Sequence, residues 1–163
     1  KESFLNNWLE NVVQTHKPGF FVYEGKDAYK SIFRDMLSEK PYILYGCWPM
    51  NSMFDLVSEE ELRSYHRKRI KAGTQVKVLW PQSKKISKRR FNELFYGDEK
   101  HNLREIRLLP KGIDKTIGYM IYGNKVAFIS SDKENYGFVI DSKDLAQSLK
   151  SQFEYIWKQS KKY

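Results

Sequence analysis

Cysteine is almost missing from this sequence. Cys47 stands alone, so no intramolecular disulfide framework can staple the chain. Histidine is scarce as well: His16, His66 and His101 are scattered, and with one cysteine they supply no cluster at metal-ligand spacing, so no structural zinc and no cofactor are expected. No apolar run approaches the ~20 residues that a membrane span requires, which makes a soluble, cytoplasmic chain with no membrane partner the expectation. Internal repeats and low-complexity segments are lacking too. At 163 residues the chain can bury one core, and a single domain is the natural reading. The first residue is Lys1 rather than Met, so the expectation is a piece of a longer protein.

Acidic residues are missing from one long stretch. Residues 63–90 hold eleven Lys or Arg and no acid, and the rest of the chain then carries 18 basic against 20 acidic residues. The net charge of +9 therefore belongs to this segment. Its candidate phosphate-binding side chains are Arg67, Lys68, Lys71, Lys84, Lys85, Lys88, Arg89 and Arg90. Such a patch can meet nucleic acid or an anionic small ligand, and it can equally be the solvated face of ordinary helices.

Phe4, Leu5, Trp8, Leu9 and Val12 are spaced as one face of a helix over residues 2–15, ended by Lys17-Pro18-Gly19. That stripe needs a partner, either the domain itself or the same helix in a second copy. A short strand follows over Phe20–Tyr23, then a helix over 26–38 with Tyr29, Ile32, Phe33, Met36 and Leu37 on one face. Residues 42–47 are too apolar to have a wet face and predict a central strand. Ser58 with Glu61 three residues on, amid acids, opens a helix to about Ala72.

A strand over 75–80, a basic helix over about 84–95 and a strand over 103–109 come next. Thr116 to Ser131 reads as a β-hairpin, because alternating Ile117, Tyr119 and Ile121 meet turn chemistry at Tyr122-Gly123-Asn124 before the β-branched and aromatic run Val126–Ile129. Residues 136–140 form a last strand, and Leu145, Leu149, Phe153, Ile156 and Trp157 stripe a closing helix. Strands alternate with helices at first and become hairpin-rich later, which predicts an α/β fold with a mixed sheet flanked by helices.

Four segments in order, VYEGKDAYKSIFRDML, PYILYGCW, YHRKRIKAG with VKVLW, and LREIRLLP with IYGNKVAFIS and FEYIWK, resemble the C-terminal effector domain of TrmB-type transcriptional regulators. That domain is similar to a phospholipase D half, and the resemblance covers roughly residues 20–159. It implies a linker or dimerisation helix over 1–16, an effector domain over 20–163, a homodimer, DNA bound through an N-terminal winged helix-turn-helix absent from this chain, and a possible small-molecule effector. Sugar-binding members carry a further β-rich domain after this one, and the chain ends in WKQSKKY, so a maltose-like effector is not expected.

Resemblance to phospholipase D also implies a place for its catalytic histidine, lysine and aspartate. With Tyr122-Gly123 on the motif's Asp-Gly, Lys115 stands for the nucleophile, Ile117 for the lysine and Tyr122 for the aspartate. An isoleucine cannot hold phosphate and a protonated lysine cannot attack it, so hydrolysis by that route is not expected. His66-Arg67-Lys68 repeats the His-x-Lys spacing, but Gly73 occupies the aspartate position and the segment reads as helix. What remains is a pocket at the C-terminal ends of the central strands, rimmed by Cys47, Trp48, Tyr119, Ser130 and Ser131, with Arg69 or Arg107 as anion clamps. Three of these have a plainer reading: Trp48 as packing under its loop, Cys47 as buried and inert, Arg107 as an exposed strand residue.

Overall fold

A computed structural model of the chain describes residues 18–25, 27–40, 42–113, 117–130, 134 and 136–163. Helix 2–15, the dimerisation element expected from the sequence, lies outside them, as do Lys115 and Ser131. The described elements are β1 (Gly19–Glu24), α1 (Ala28–Ser38), β2 (Ile43–Cys47), α2 (Glu59–Lys71), β3 (Gln75–Trp80), α3 (Lys88–Phe95), β4 (Arg104–Leu108), β5 (Gly118–Tyr122), β6 (Lys125–Ile129), β7 (Tyr136–Asp141), α4 (Lys143–Gln159) and β8 (Lys161–Lys162). All the strands join one mixed sheet in the order β1-β7-β6-β5-β2-β3-β4-β8.

The sheet changes character where the sequence does. Strands β2, β3 and β4, separated by helices, pair in parallel. From β5 onward the connections shorten, and β5, β6, β7 and β1 pair antiparallel. The junction is β2 against β5, with Cys47 opposite Tyr119 and Tyr45 opposite Ile121. β2 thus occupies the centre, as its apolar run requires. Tyr122 pairs with Lys125 across the two-residue turn Gly123-Asn124, and Gly123 takes the left-handed φ of 57° that this turn needs.

Helices α1, α2 and α3 cover one face of the sheet around a core that includes Phe33, Leu44, Val78, Trp80, Phe91 and Ile106. Helix α4 covers the other, where Phe153 packs with Cys47, Leu79 and Leu109, and Ala146 with Ile121 and Val126. Only part of this second face is covered. Directly opposed residues share a face, so Val22 pairs with Phe138 and Phe138 with Phe128; at that end Phe20 is 68% and Val22 67% exposed.

Helix starts follow the caps. Ser58 and Glu61 form the full capping box at α2. Ser87 accepts the Arg90 N–H at 3.1 Å and starts α3 at Lys88, later than the residue near 84 that basic composition suggested, while Gln82–Lys84 make a separate 3-10 turn. Ser142 caps α4 through the Leu145 N–H. Two elements carry no sequence signal: a 3-10 helix over Met50–Asp55 directly after Trp48-Pro49, and β8, which pairs with the edge of β4.

Candidate ligand site

The C-terminal end of β2 is where an α/β sheet commonly opens a site, and here it is filled. Trp48 leaves β2 with its N–H donating to the Leu79 carbonyl at 2.9 Å. Its indole lies against Gly118 so closely that a Cβ there would sit 2.9 Å from the ring. The 3-10 helix that follows buries Met50 and Met53 beneath the same end. Glycine at 118 is thus required by the tryptophan rather than by a turn.

On the hairpin, Tyr122 is buried and donates its hydroxyl proton to Asp35 Oδ2 at 2.7 Å. Lys125 bridges Asp35 at 3.1 Å and Glu39 at 2.6 Å. Burial, then the Asp35 contact, raises the Tyr122 pKa well above its ordinary value. Lys125 is raised although burial opposes it, because both carboxylates hold its proton. Tyr122, at the aspartate position of the resemblance, is a neutral strut between β5 and α1. His66 lies on α2, as the helical reading of His66-Arg67-Lys68 requires.

The residues proposed as a rim do not converge. Cys47 and Tyr119 face α4 rather than the tryptophan side, and burial raises the Tyr119 pKa. Ser130, buried, ties the β6–β7 connection by donating to the Tyr136 carbonyl at 2.8 Å and accepting its N–H at 2.9 Å. Arg107 lies over the Trp157 ring at 4.7 Å and donates to the Trp157 carbonyl at 2.9 Å near the end of α4. It is neither an anion clamp nor an exposed strand residue.

Arg69 requires the larger correction. It is fully buried at the opposite end of the sheet, where β3 and β4 begin. Its guanidinium donates to the carbonyls of Thr74, Asn102 and, at 3.3 Å, Leu103. A cation that sequence alone offers for an anion is spent on the buried carbonyls of Thr74 and Asn102, and shares the Leu103 carbonyl with the Val76 N–H. Burial lowers its pKa to about 10, so it stays charged at neutral pH.

A cavity does exist, along the α1/α2 side of β2 and β3, and of the six proposed ligand residues that are described Trp48 alone lines it. Its volume is about 40 Å³, room for about three waters at the ~10–15 Å³ each requires. Trp48 and Trp80 reach it from the C-terminal ends of β2 and β3, His66 from α2 and Arg104 from the N-terminal start of β4. Arg104, at the start of β4, places Nη2 2.8 Å and 2.9 Å from the two ring nitrogens of His66. The rings of Phe95 and Phe91 lie 5.0 Å and 5.7 Å from its guanidinium carbon.

Burial, then Arg104 and Arg69, drives the His66 pKa well below its ordinary value, so this imidazole is neutral. Burial, then Arg69, pushes Arg104 down to about 9. Its Nε is buried without a hydrogen-bond partner. Among the described residues neither Arg104 nor Arg69 has a salt bridge. Sequence reading missed Arg104 because it stands in a strand beside Glu105, where a charged side chain signals solvent.

The basic segment divides. Arg67 pairs with Glu60, Arg89 with Glu93 and Arg90 with Glu59. Lys68, Lys71, Lys84, Lys85 and Lys88 have no carboxylate partner among the described residues. Lys68 and Lys71 precede β3 and the other three follow it, so six strand residues, roughly 20 Å, separate the two groups.

A mixed sheet with three parallel strands, a long antiparallel hairpin run and helices on both faces defines the phospholipase D-like fold. Among solved structures the chain is similar to a phospholipase D family member, Nuc from Salmonella typhimurium, at 13% identity over 90% of this chain and 99% of that one, with a TM-score of 0.63. NucT from Helicobacter pylori is similar at 12% identity over the same shares of the two chains, with a TM-score of 0.59. TrmBL2, an archaeal chromatin protein that binds DNA, is similar at 15% identity over 99% of this chain, with a TM-score of 0.59. The chain spans 61% of the length of TrmBL2. No family matches the chain by sequence, and no curated protein does. Among the described residues no helix is long and apolar enough to cross a membrane.

Proposed function

We propose that this chain is the non-catalytic regulatory domain of a DNA-binding, cytoplasmic transcriptional regulator, sensing a small molecule, setting dimer geometry, or both. One observation carries the reading. Where phospholipase D chemistry needs a carboxylate to orient its nucleophile, Tyr122 is buried and committed to Asp35, and Ile117 replaces the phosphate-holding lysine. The fold likeness to TrmBL2, a chromatin protein that binds DNA, supports this reading. The exposed Phe20 and Val22 on edge strand β1 suit a second copy of the chain. The test is promoter binding by the longer protein together with the oligomeric state of a Phe20→Glu, Val22→Lys variant. Absence of promoter binding at every salt concentration would end the reading.

A second reading is direct nucleic-acid binding, favoured by the five lysines without carboxylate partners. Titrating the 163-residue chain with duplex DNA decides it, since contact with Z phosphates gives a log–log salt slope near −0.9Z. No complex at low salt rejects it.

A further inference from the structure

We infer that the cavity between α2 and the sheet binds a small monocarboxylate with a short apolar tail, its carboxylate on Arg104 and its tail toward Trp48. For its biological use this deepens the proposed sensing role; the site itself stands on geometry alone.

The head group follows from charge. Arg104 lines the cavity beside His66, Arg69 lies behind it as a second buried guanidinium that acts on both electrostatically, and among the described residues no carboxylate bridges either arginine. Arg69 spends both terminal nitrogens on backbone carbonyls, its Nε being buried without a partner. Arg104 donates to no carbonyl: its Nε lacks an acceptor too, and its other contacts are an imidazole and two aromatic faces. An incoming carboxylate supplies the acceptor that Arg104 Nε lacks and a directly paired negative charge, which Glu99, acting on Arg104 without a salt bridge, does not.

The tail follows from the other walls. Leu44, Val78, Met36, Met50 and Met120 are apolar, and the indole N–H groups of Trp48 and Trp80 and the Tyr65 hydroxyl are the few polar groups among the remaining lining residues besides His66 and Arg104. A sugar, with a hydroxyl on nearly every carbon, or a dicarboxylate, with a second charge, would outnumber those few partners and bury polar groups unpaired. The 40 Å³ at rest accommodates a few heavy atoms, and unbranched methionines at 36, 50 and 120 can turn aside for a few more. Propionate and isobutyrate are of that size.

The experiment titrates the 163-residue chain with sodium propionate and sodium isobutyrate, and separately with propionamide and isobutyramide, following side-chain methyl NMR shifts and thermal midpoint. Saturable binding of the carboxylates, about tenfold or more tighter than their amides, with shifts at Leu44 and Val78, is expected. Arg104→Met should abolish the difference between acid and amide, and Arg104→Lys should keep part of it. The carboxylate–amide comparison on the unaltered chain needs no variant and decides the matter if Arg104→Met does not fold. Equal affinity for acid and amide, or no saturable shift with either, overturns the inference. Carboxylate binding that leaves promoter affinity of the longer protein unchanged keeps the site and removes the sensing role; promoter binding without carboxylate binding does the reverse.

Discussion

Tyr122 and Asp35 are joined by a 2.7 Å hydrogen bond that pins the hairpin to helix α1 across the sheet. Lys125 holds the same carboxylate from the next strand, so one aspartate gathers β5 and β6 under α1. A tyrosine placed to donate to a carboxylate cannot itself serve as the carboxylate that phosphoryl chemistry asks for.

Tyr122→Phe should therefore destabilise the domain by about 1.5–3 kcal/mol, the range for a hydrogen bond to a charged group, without altering its far-ultraviolet circular dichroism. Tyr122→Asp should be worse, since it sets a second carboxylate against Asp35. Urea denaturation of both variants measures the order. Neither the parent chain nor Tyr122→Asp should hydrolyse bis(4-nitrophenyl) phosphate; hydrolysis by the parent would contradict the non-catalytic reading.

Arg69 and Lys71 sit two residues apart and should behave oppositely. Arg69→Met strips the buried carbonyls of Thr74 and Asn102 of the guanidinium donor and is expected to cost about 3 kcal/mol or more. Lys71→Ala, on an exposed helix end, should stay within about 0.5 kcal/mol. Thermal midpoints of the pair make the comparison. Equal losses would mean that the carbonyl clamp contributes nothing.

The contrast also marks how far the sequence could be read. Helices, strands and the hairpin were legible because their apolar periodicities and caps are local: the stripe of α4, the Ser58–Glu61 box and the turn at Gly123 need no tertiary information. β8 was not, since two lysines acquire strand geometry only from the open edge of β4. The candidate site was least legible. Arg69, Arg104 and Arg107 look alike in a sequence, and what separates them is which carbonyl, ring or cavity each meets. Those partners lie from 5 to 50 residues away along the chain.

Acid should reveal two groups in separate windows. The His66 pKa in the folded protein lies below the unfolded value near 6.5, so the unfolded chain takes up the proton first. Its contribution is fully present above that pH and falls away below it, with a slope approaching about 1.4 kcal/mol per pH unit. Glu61, held at about 2 by Tyr29, then Lys30 and Ser58, acts lower, losing its contribution as pH falls from 4.5 toward 2. His66→Phe should flatten the upper limb alone and Glu61→Gln the lower limb alone. Stability measured by urea between pH 7 and pH 3 would reject the assignment if His66→Phe leaves the upper limb unchanged.

Gly118 and Trp48 should prove energetically coupled. A Cβ at 118 would lie 2.9 Å from the indole, closer than packed atoms tolerate, and the backbone of β5 leaves it no other direction. Gly118→Ala alone should destabilise by about 1–3 kcal/mol through overpacking. Trp48→Phe alone should cost a comparable amount by enlarging the cavity. Combined, the smaller ring makes room for the methyl group, so the double variant should be more stable than the sum of the single losses by about 0.5 kcal/mol or more. Strict additivity in denaturant titrations would mean that Trp48 does not press on Gly118 in solution, and the closed end of the sheet would then have to be redrawn as open.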